Sequence, residues 1–168
     1  MTLLLDVGNS RIKAGLLTGE TMQPLGRATH RGAEMSSVIE ELELPEHGVS
    51  RILACCVAGT EVRDALAMAL RGRYGVMTGF IGAKRAACGV LNAYPEPGRL
   101  GADRWAALIG AHARDLSPAC IVDAGSALTV DGLAEGQHLG GLIIPGVEMM
   151  QQALFDKTGD LRSLSQAP

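Results

Sequence analysis

Aromatic side chains and clustered positive charge are scarce in this chain of 168 residues. It contains one Trp, two Tyr and two Phe, and its 15 Lys and Arg are outnumbered by 18 Asp and Glu, which gives a net charge of −3. A nucleic-acid-binding protein needs a basic surface for phosphates and, for single strands, aromatic rings on which bases stack. The composition therefore argues against a nucleic-acid partner.

Long apolar runs and regularly spaced cysteines are also lacking. No uncharged apolar run approaches the roughly 18 residues of a membrane span. The N-terminus reaches Asp6 after three leucines, without a basic segment or a cleavage site. We therefore expect a cytoplasmic protein with no membrane partner. The four cysteines show no Cys-x-x-Cys spacing, so reduced thiols are expected rather than disulfides or a metal site.

What the chain does contain is an ordinary globular composition, 47% apolar and 20% charged, in which strand and helix patterns alternate. Apolar runs and helical spacing predict the elements. Strands are predicted at 3–6, 11–17, 50–58, 76–81 and 138–144, a further hairpin at 120–133, and helices at 33–43, 60–71, 103–115 and 146–155. The prolines and glycines of 92–102 predict an irregular loop, where functional residues often lie.

A weak internal repeat indicates the domain organisation. The residues that recur at a spacing of 117 are Asp6 and Asp123, Gly8 and Gly125, Gly15 and Gly132, and Leu16 and Leu133. In both copies apolar residues precede the acid, and the pattern is typical of a strand, a tight turn and a returning strand. We predict two homologous α/β lobes, 1–115 and 116–168, of which the second lacks a counterpart to 51–71 and is therefore incomplete.

The two hairpin tips suit a polyphosphate ligand. A glycine-rich turn lets the backbone approach phosphates closely, and oriented N–H groups bind anions. Asp6 could hold a phosphate-bound Mg²⁺, while Arg11 or Lys13 balances the charge. The alternative is that Asp-x-Gly-Asn-Ser is merely a good turn sequence without function.

Asp103 and Arg104 open the third predicted helix and also have two interpretations. Asp103 is typical of a helix N-terminus, and Arg104 of a solvated charge. Alternatively, Asp103 accepts a hydroxyl proton while Arg104 grips a substrate carboxylate. We expect Trp105 and the methionines in the core, and the four histidines at the surface or in incidental positions.

Four motifs together resemble one family. They are 6–13 (DVGNSRIK), 100–105 (LGADRW), 123–129 (DAGSALT) and 140–146 (GGLIIPG). In this order, and over essentially the whole chain, they are similar to bacterial type III pantothenate kinase. The resemblance implies an α/β fold of two RNase H-like lobes with ATP between them, as in acetate kinase, sugar kinases, Hsp70 and actin. It also implies ATP-dependent phosphorylation of pantothenate to 4′-phosphopantothenate, the first committed step toward coenzyme A.

The resemblance also implies roles for individual positions. The residues that would bind the ATP phosphates are Asp6, Val7, Gly8, Asn9, Ser10, Arg11, Ile12 and Lys13, with Asp6 near Mg²⁺. Ser126 would contact ATP where the family usually has Thr, and Asp123 would hold a monovalent cation, K⁺ or NH₄⁺. The residues that would line the pantothenate pocket are Tyr94, Gly101, Ala102, Asp103 and Arg104. Asp103 would be the base that takes the hydroxyl proton, and Arg104 would orient the substrate.

The length departs from that family. Members are longer, and their remaining part completes the second lobe, forms the homodimer interface and brings in a substrate-contacting Thr that no position here matches. Residues 156–161 resemble the stretch just before that Thr, so we expect a second lobe truncated at its C-terminus. Two other hypotheses therefore stand beside the kinase: a non-catalytic nucleotide-binding or regulatory protein of the Bvg accessory factor kind, and an inactive fragment associating through an unfinished sheet edge.

Overall fold

The computed structural model describes residues 1–157. Most of the stretch 156–161, and the predicted second lobe from 158 onward, lie outside the described residues. The chain divides into two compact units, one formed by 1–85 and 94–107, the other by 86–93 and the residues from 108 onward. The predicted lobe boundary between 115 and 116 stays a prediction.

The first unit is built on a five-stranded mixed sheet in the order β3-β2-β1-β4-β5. Its strands are β1 (Thr2–Val7), β2 (Arg11–Thr18), β3 (Thr21–Thr29), β4 (Arg51–Cys56) and β5 (Thr78–Ile81). β1 pairs antiparallel with β2 and parallel with β4. Because β1 and β4 run the same way, Asp6 and Cys55 are register partners near the carboxyl ends of the two central strands.

Two helices supply most of the remaining core of this unit, α1 (Met35–Glu41) and α2 (Thr60–Tyr74). The fully or almost fully buried side chains of the core include Leu3, Val7, Ile12, Val38, Ile52, Leu66 and Leu70. Burying such a side chain stabilises the fold by about 1.5–3 kcal/mol. α2 runs three residues beyond its predicted end and stops where Gly75 adopts a left-handed φ of 68° and its N–H bonds to Arg71.

The second unit contains another five-stranded sheet, in the order β6-β7-β10-β9-β8. Its strands are β6 (Ala86–Ala87), β7 (Val90–Leu91), β8 (Ala119–Ala124), β9 (Ala127–Ala134) and β10 (Gln137–Pro145). β8, β9 and β10 form an antiparallel meander, with a register shift between His138 and Gly140. α3 (Ala102–His112) begins in the first unit and ends in the second, and α4 (Val147–Lys157) follows β10.

The α/β class and both predicted hairpins are confirmed. The prediction missed β3, β6 and β7. β3 contains Pro24 and Gly26 and buries only Leu25 and Ala28, as an edge strand can, so its pattern does not resemble a core strand. β6 and β7 have two residues each, which is too short for any periodicity. No helix within residues 1–157 is long and apolar enough to span a membrane.

Three predictions about single side chains can be compared with their burial. Trp105 is 1% exposed, which confirms its place in the core. The expectation of buried methionines is wrong for the six exposed ones, Met1, Met22, Met68, Met77, Met149 and Met150. The histidine prediction is wrong for His30 and His138, which are 7% and 4% exposed, because His30 bonds the Gly8 carbonyl and His138 bonds the buried Asp131. All four cysteines are free thiols.

Candidate active site

The first hairpin presents a charged pair beside a three-residue tip. Gly8, Asn9 and Ser10 connect β1 to β2, and the Gly8 N–H donates to the Arg11 carbonyl at 3.0 Å. Asp6 and Lys13 are register partners behind this tip, and the Lys13 Nζ lies 3.2 Å from the Asp6 Oδ2. Both side chains remain accessible, at 61% for Lys13 and 42% for Asp6, so a ligand can approach either charge.

Cys55 links the first hairpin to Asp103. Its sulfur lies 3.7 Å from the Leu5 carbonyl oxygen and 3.6 Å from the Asp6 Oδ1, and its one S–H can donate to either. Burial, the negative charge of Asp6, the hydrogen bond to Asp6 and the charge of Asp103 together raise the pKa of Cys55 to about 12, with burial the largest cause. Asp6 and Asp103 therefore both act on one neutral thiol at the carboxyl end of β1 and β4.

Asp103 has the local geometry of an acid at a helix start. Its Oδ1 accepts from the backbone N–H of Arg104 at 2.8 Å, which confirms the N-terminal interpretation without excluding a second role. A side chain at Gly101 would collide with that same oxygen and would approach Val57 to 3.8 Å. The absence of a side chain at Gly101 is what leaves room for the carboxylate.

Arg104 is not the solvated charge that one interpretation expected. It is 5% exposed, and its Nη1 lies 3.4 Å from the Tyr94 hydroxyl, with the guanidinium 6.0 Å from the centre of that ring. The Tyr94 carbonyl accepts from Arg85 at 3.2 Å. A buried cation needs fixed partners, and Tyr94 of the irregular loop before α3 is one of them. The predicted substrate residues Tyr94 and Arg104 are therefore in contact.

A cavity of about 360 Å³ adjoins this contact. It is lined by Tyr94, Pro95, Glu96 and Arg99. The prolines and glycines of this loop, with the short 3₁₀ turn at Pro97–Arg99, open the space between residues that regular structure would close. A volume of about 360 Å³ lies at the lower end of the range for small-molecule sites.

The second hairpin has a shorter tip, held by the chain that follows β10. Gly125 and Ser126 connect β8 to β9, and the Gly146 N–H donates to the Ser126 carbonyl at 3.0 Å. A Cβ at Gly146 would lie 2.5 Å from the Gly125 carbonyl oxygen and 2.7 Å from that of Ser126. The glycine that ends the 140–146 motif therefore allows the backbone to touch the tip. Asp123 and Ser126 are both exposed.

Deeper in the second hairpin lies a buried pair that sequence reasoning missed. The His138 Nε2 is 2.9 Å from the Asp131 Oδ1, and the two side chains are 0% and 2% exposed. The backbone N–H of Ala93 donates to the His138 Nδ1 at 3.4 Å. Because an N–H can only donate, Nδ1 accepts from Ala93, and Nε2 carries the hydrogen that it donates in a hydrogen bond to Asp131. The sequence offered no signal for this pair beyond the placement of Asp131 and His138 on two successive predicted strands.

The predicted site residues are thus divided between the two units. Asp6–Lys13, Tyr94 and Gly101–Arg104 lie in the first unit, whereas Asp123 and Ser126 lie in the second. Among residues 1–157 there is no group of three or more His, Cys, Asp and Glu side chains that could hold a metal ion. Asp6 and Asp123 are therefore single carboxylates, and a cation at either would need further ligands from backbone, water or bound phosphate.

Comparison with solved structures identifies the class of fold. A protein assigned as a 2-dehydro-3-deoxygalactonokinase from Sinorhizobium meliloti superposes with a TM-score of 0.55 at 16% identity, covering 100% of this chain and 60% of that one. A conserved protein assigned to the Baf family of transcriptional activators from Campylobacter jejuni gives a TM-score of 0.54 at 24% identity, covering 94% and 61%. The chain shares the α/β fold of these two proteins.

Sequence comparison then identifies the family. Residues 2–168 match the model of the type III pantothenate kinase family. The type III pantothenate kinase of Aromatoleum aromaticum is 42% identical over 162 residues, which cover 96% of this chain and 65% of that protein. The chain belongs to the type III pantothenate kinase family. It spans about 65% of the length of the first curated relatives that it matches.

Proposed function

We propose that this chain carries the phosphate-binding hairpins and the acceptor site of a kinase that phosphorylates pantothenate to 4′-phosphopantothenate. One observation supports this most directly: the Asp6 carboxylate accepts from the Cys55 thiol on β4, and a side chain at Gly101 would meet both the Asp103 carboxylate and Val57, just after β4. The hairpin and the acceptor motif therefore approach the same strand end within one compact unit. A phosphoryl transfer needs the phosphate site and the proton acceptor close together. Membership of the pantothenate kinase family supplies the substrate class.

The first hairpin is proposed to bind the ATP phosphates. Its tip offers backbone N–H groups, and Arg11 and Lys13 add positive charge beside it. Asp6 suits Mg²⁺ because an exposed carboxylate oxygen is a hard ligand, and the cation would complete its shell with phosphate oxygens and water. When bound with ATP, Mg²⁺ neutralises phosphate charge that would otherwise oppose transfer. Ser126 keeps the hydroxyl that a family Thr would use on ATP.

The acceptor site is proposed to lie around Asp103, Arg104 and Tyr94. The primary hydroxyl oxygen of pantothenate forms the new P–O bond to the γ-phosphorus, the bond to ADP breaks, and the hydroxyl proton passes to the Asp103 carboxylate. Arg104 is buried and already contacts Tyr94, so its guanidinium is oriented before the substrate arrives. Gly101 and Ala102 bring the chain close without filling the site.

Further parts of the proposal rest on family membership alone. Asp123 would hold the monovalent cation, K⁺ or NH₄⁺, through an exposed carboxylate. The whole protein would act as a homodimer in the cytoplasm. None of these points alters the chemistry proposed for the first unit.

The direct test is to add ATP, Mg²⁺, K⁺ and pantothenate to the purified chain and follow ADP release together with 4′-phosphopantothenate by mass spectrometry. We expect turnover that disappears when Na⁺ replaces K⁺. ATP binding without turnover would instead support the regulatory alternative, and the absence of both would support an inactive fragment.

A substitution assigns the chemistry to one residue. Asp103→Asn should lower kcat by about 100-fold or more, because the amide cannot receive the proton, while ATP affinity stays within about twofold. Asp64→Asn is a matched control, since Asp64 is exposed on α2. Near-normal kcat in Asp103→Asn would remove Asp103 from the proposed role.

A further inference from the structure

We propose that His30 is a positioning residue for the phosphate-binding hairpin. It holds the Gly8 and Ser10 carbonyls of the tip so that the Asn9 N–H is directed toward the ligand. The expected effect of His30 on ATP binding rests on the proposed function, whereas its hydrogen bonds to the tip do not. Nothing in the sequence pattern pointed to it, since His30 lies alone in an exposed stretch.

Two hydrogen bonds carry the argument. His30 follows directly after β3 and is 7% exposed. Its Nε2 lies 2.7 Å from the carbonyl oxygen of Gly8, which precedes it by 22 residues. Its backbone N–H donates to the Ser10 carbonyl at 3.2 Å. Since a carbonyl can only accept, Nε2 carries a proton in this contact.

These bonds fix the direction of the tip's peptide groups. In a trans peptide the C=O of one residue and the N–H of the next point in opposite directions. With the Gly8 carbonyl turned toward His30, the Asn9 N–H is directed away from it, on the exposed side of the tip. The Gly8 N–H is already used by Arg11. Asn9 therefore provides the oriented donor that an anion would meet.

The chemistry of His30 also defines the right substitutions. The glutamine Nε2 lies as many bonds from Cα as the histidine Nε2, so His30→Gln keeps a donor at the same reach. His30→Leu fills similar volume without any donor. His47→Leu is the matched control, because His47 is exposed and distant in sequence from the tip. Thermal unfolding of each variant verifies that it is folded at the temperature of the assay.

Two readouts separate this inference from the proposed function. The first is the affinity for ATP with Mg²⁺, measured by calorimetry on the 168-residue chain. His30→Leu should weaken it about tenfold, the effect of leaving one carbonyl without its donor, whereas His30→Gln should stay within about twofold. The second readout is amide hydrogen exchange at Gly8 and at position 30, which needs no ligand. Exchange should accelerate about tenfold in His30→Leu and be restored in His30→Gln.

Each outcome has a definite meaning. Unchanged exchange in His30→Leu would overturn the positioning role, and so would equal loss in His30→Gln and His30→Leu, which would assign the effect to ring packing. If the unmodified chain binds no ATP, the proposed function fails for this chain, while the exchange comparison still decides whether His30 holds the tip. Altered exchange together with unaltered ATP affinity would show that the held tip is not the phosphate site, and would overturn the inference.

Discussion

The two hairpins share a plan but differ in what holds their tips. In each, three antiparallel strands follow one another, β1-β2-β3 and β8-β9-β10, and the residue just after the third strand donates its backbone N–H to a serine carbonyl in the tip. His30 does so to Ser10 at 3.2 Å, and Gly146 to Ser126 at 3.0 Å. The first tip has three residues and the second has two.

The extra residue explains the different supports. A longer turn leaves one more carbonyl to satisfy, and the His30 ring supplies that donor. The shorter turn needs no side chain, but the supporting backbone must come closer, and only glycine allows this at 146. The two hairpins thus have the same strand order, but a histidine side chain supports the first tip and a closely packed glycine backbone supports the second.

The strands behind the tips differ as well. At the 117-residue spacing Asp131 corresponds to Ala14, so the second hairpin has a buried polar pair where the first has a buried methyl group. Cys55 is half-buried beside the first hairpin, whereas Cys120 is exposed on β8 of the second. These contrasts yield four tests.

The largest expected difference is in thiol reactivity. With its pKa raised from 9.0 to about 12, Cys55 has a thiolate fraction at pH 8 about 1000-fold below that of an ordinary thiol. Iodoacetamide, in buffer containing a chelator, should therefore modify exposed Cys120 far faster than Cys55, as peptide mass mapping would measure. Asp6→Asn should increase the rate at which iodoacetamide modifies Cys55, since the substitution removes a negative charge beside the thiol and a carboxylate acceptor. Equal alkylation rates at Cys55 and Cys120 would contradict the partial burial and the raised pKa of Cys55.

The raised pKa of Cys55 also determines how the free energy of unfolding changes with pH. A group whose folded-state pKa lies above its unfolded value contributes stability that is fully present below the unfolded pKa and is lost as pH rises through the folded one. For Cys55 that window runs from pH 9.0 to about 12. Cys55→Ala should flatten this part of the alkaline unfolding profile.

The second test breaks the buried pair. His138→Leu should lower the free energy of unfolding by about 3 kcal/mol, because the buried Asp131 loses the donor from His138. Chemical denaturation measures this, and the double variant His138→Leu with Asp131→Ala should recover part of the loss, since it removes both polar partners. A double variant whose loss equals the sum of the two single losses would mean that the pair is not coupled.

The sequence predicts the hairpins, the main helices and the loop before α3, because each depends on local signals: apolar runs, helical spacing and Pro or Gly. It does not predict the partners of His30 or His138, since a hydrogen bond across 22 residues, or to the backbone of Ala93, leaves no periodic trace. The closeness of Asp6 and Cys55 follows from the parallel pairing of β1 with β4, which strand patterns alone do not specify.

The third test removes the close approach at the second tip. Gly146→Ala should cost about 2 kcal/mol of stability, because the new Cβ would overlap two backbone carbonyls that cannot rotate away. Gly110→Ala is the matched control: nothing lies within 4 Å of its Cβ position in α3, so it should be neutral or stabilise by about 0.5–1 kcal/mol. If Gly146→Ala were as stable as Gly110→Ala, the tip would not depend on that contact.

The smallest expected effect on stability is at Lys13. It tests whether this charge stabilises the fold or binds the ligand. Lys13 faces Asp6 across the first hairpin, whereas Asp123 in the second hairpin faces Thr129. Lys13→Gln should change the free energy of unfolding by less than about 0.5 kcal/mol, because both charges of the pair are well solvated and screened. A loss above about 1 kcal/mol that salt does not reduce would make the pair a structural one. A negligible loss, together with weaker ATP binding at low salt, would mean that Lys13 serves the phosphate and that the two hairpins differ in function as well as in support.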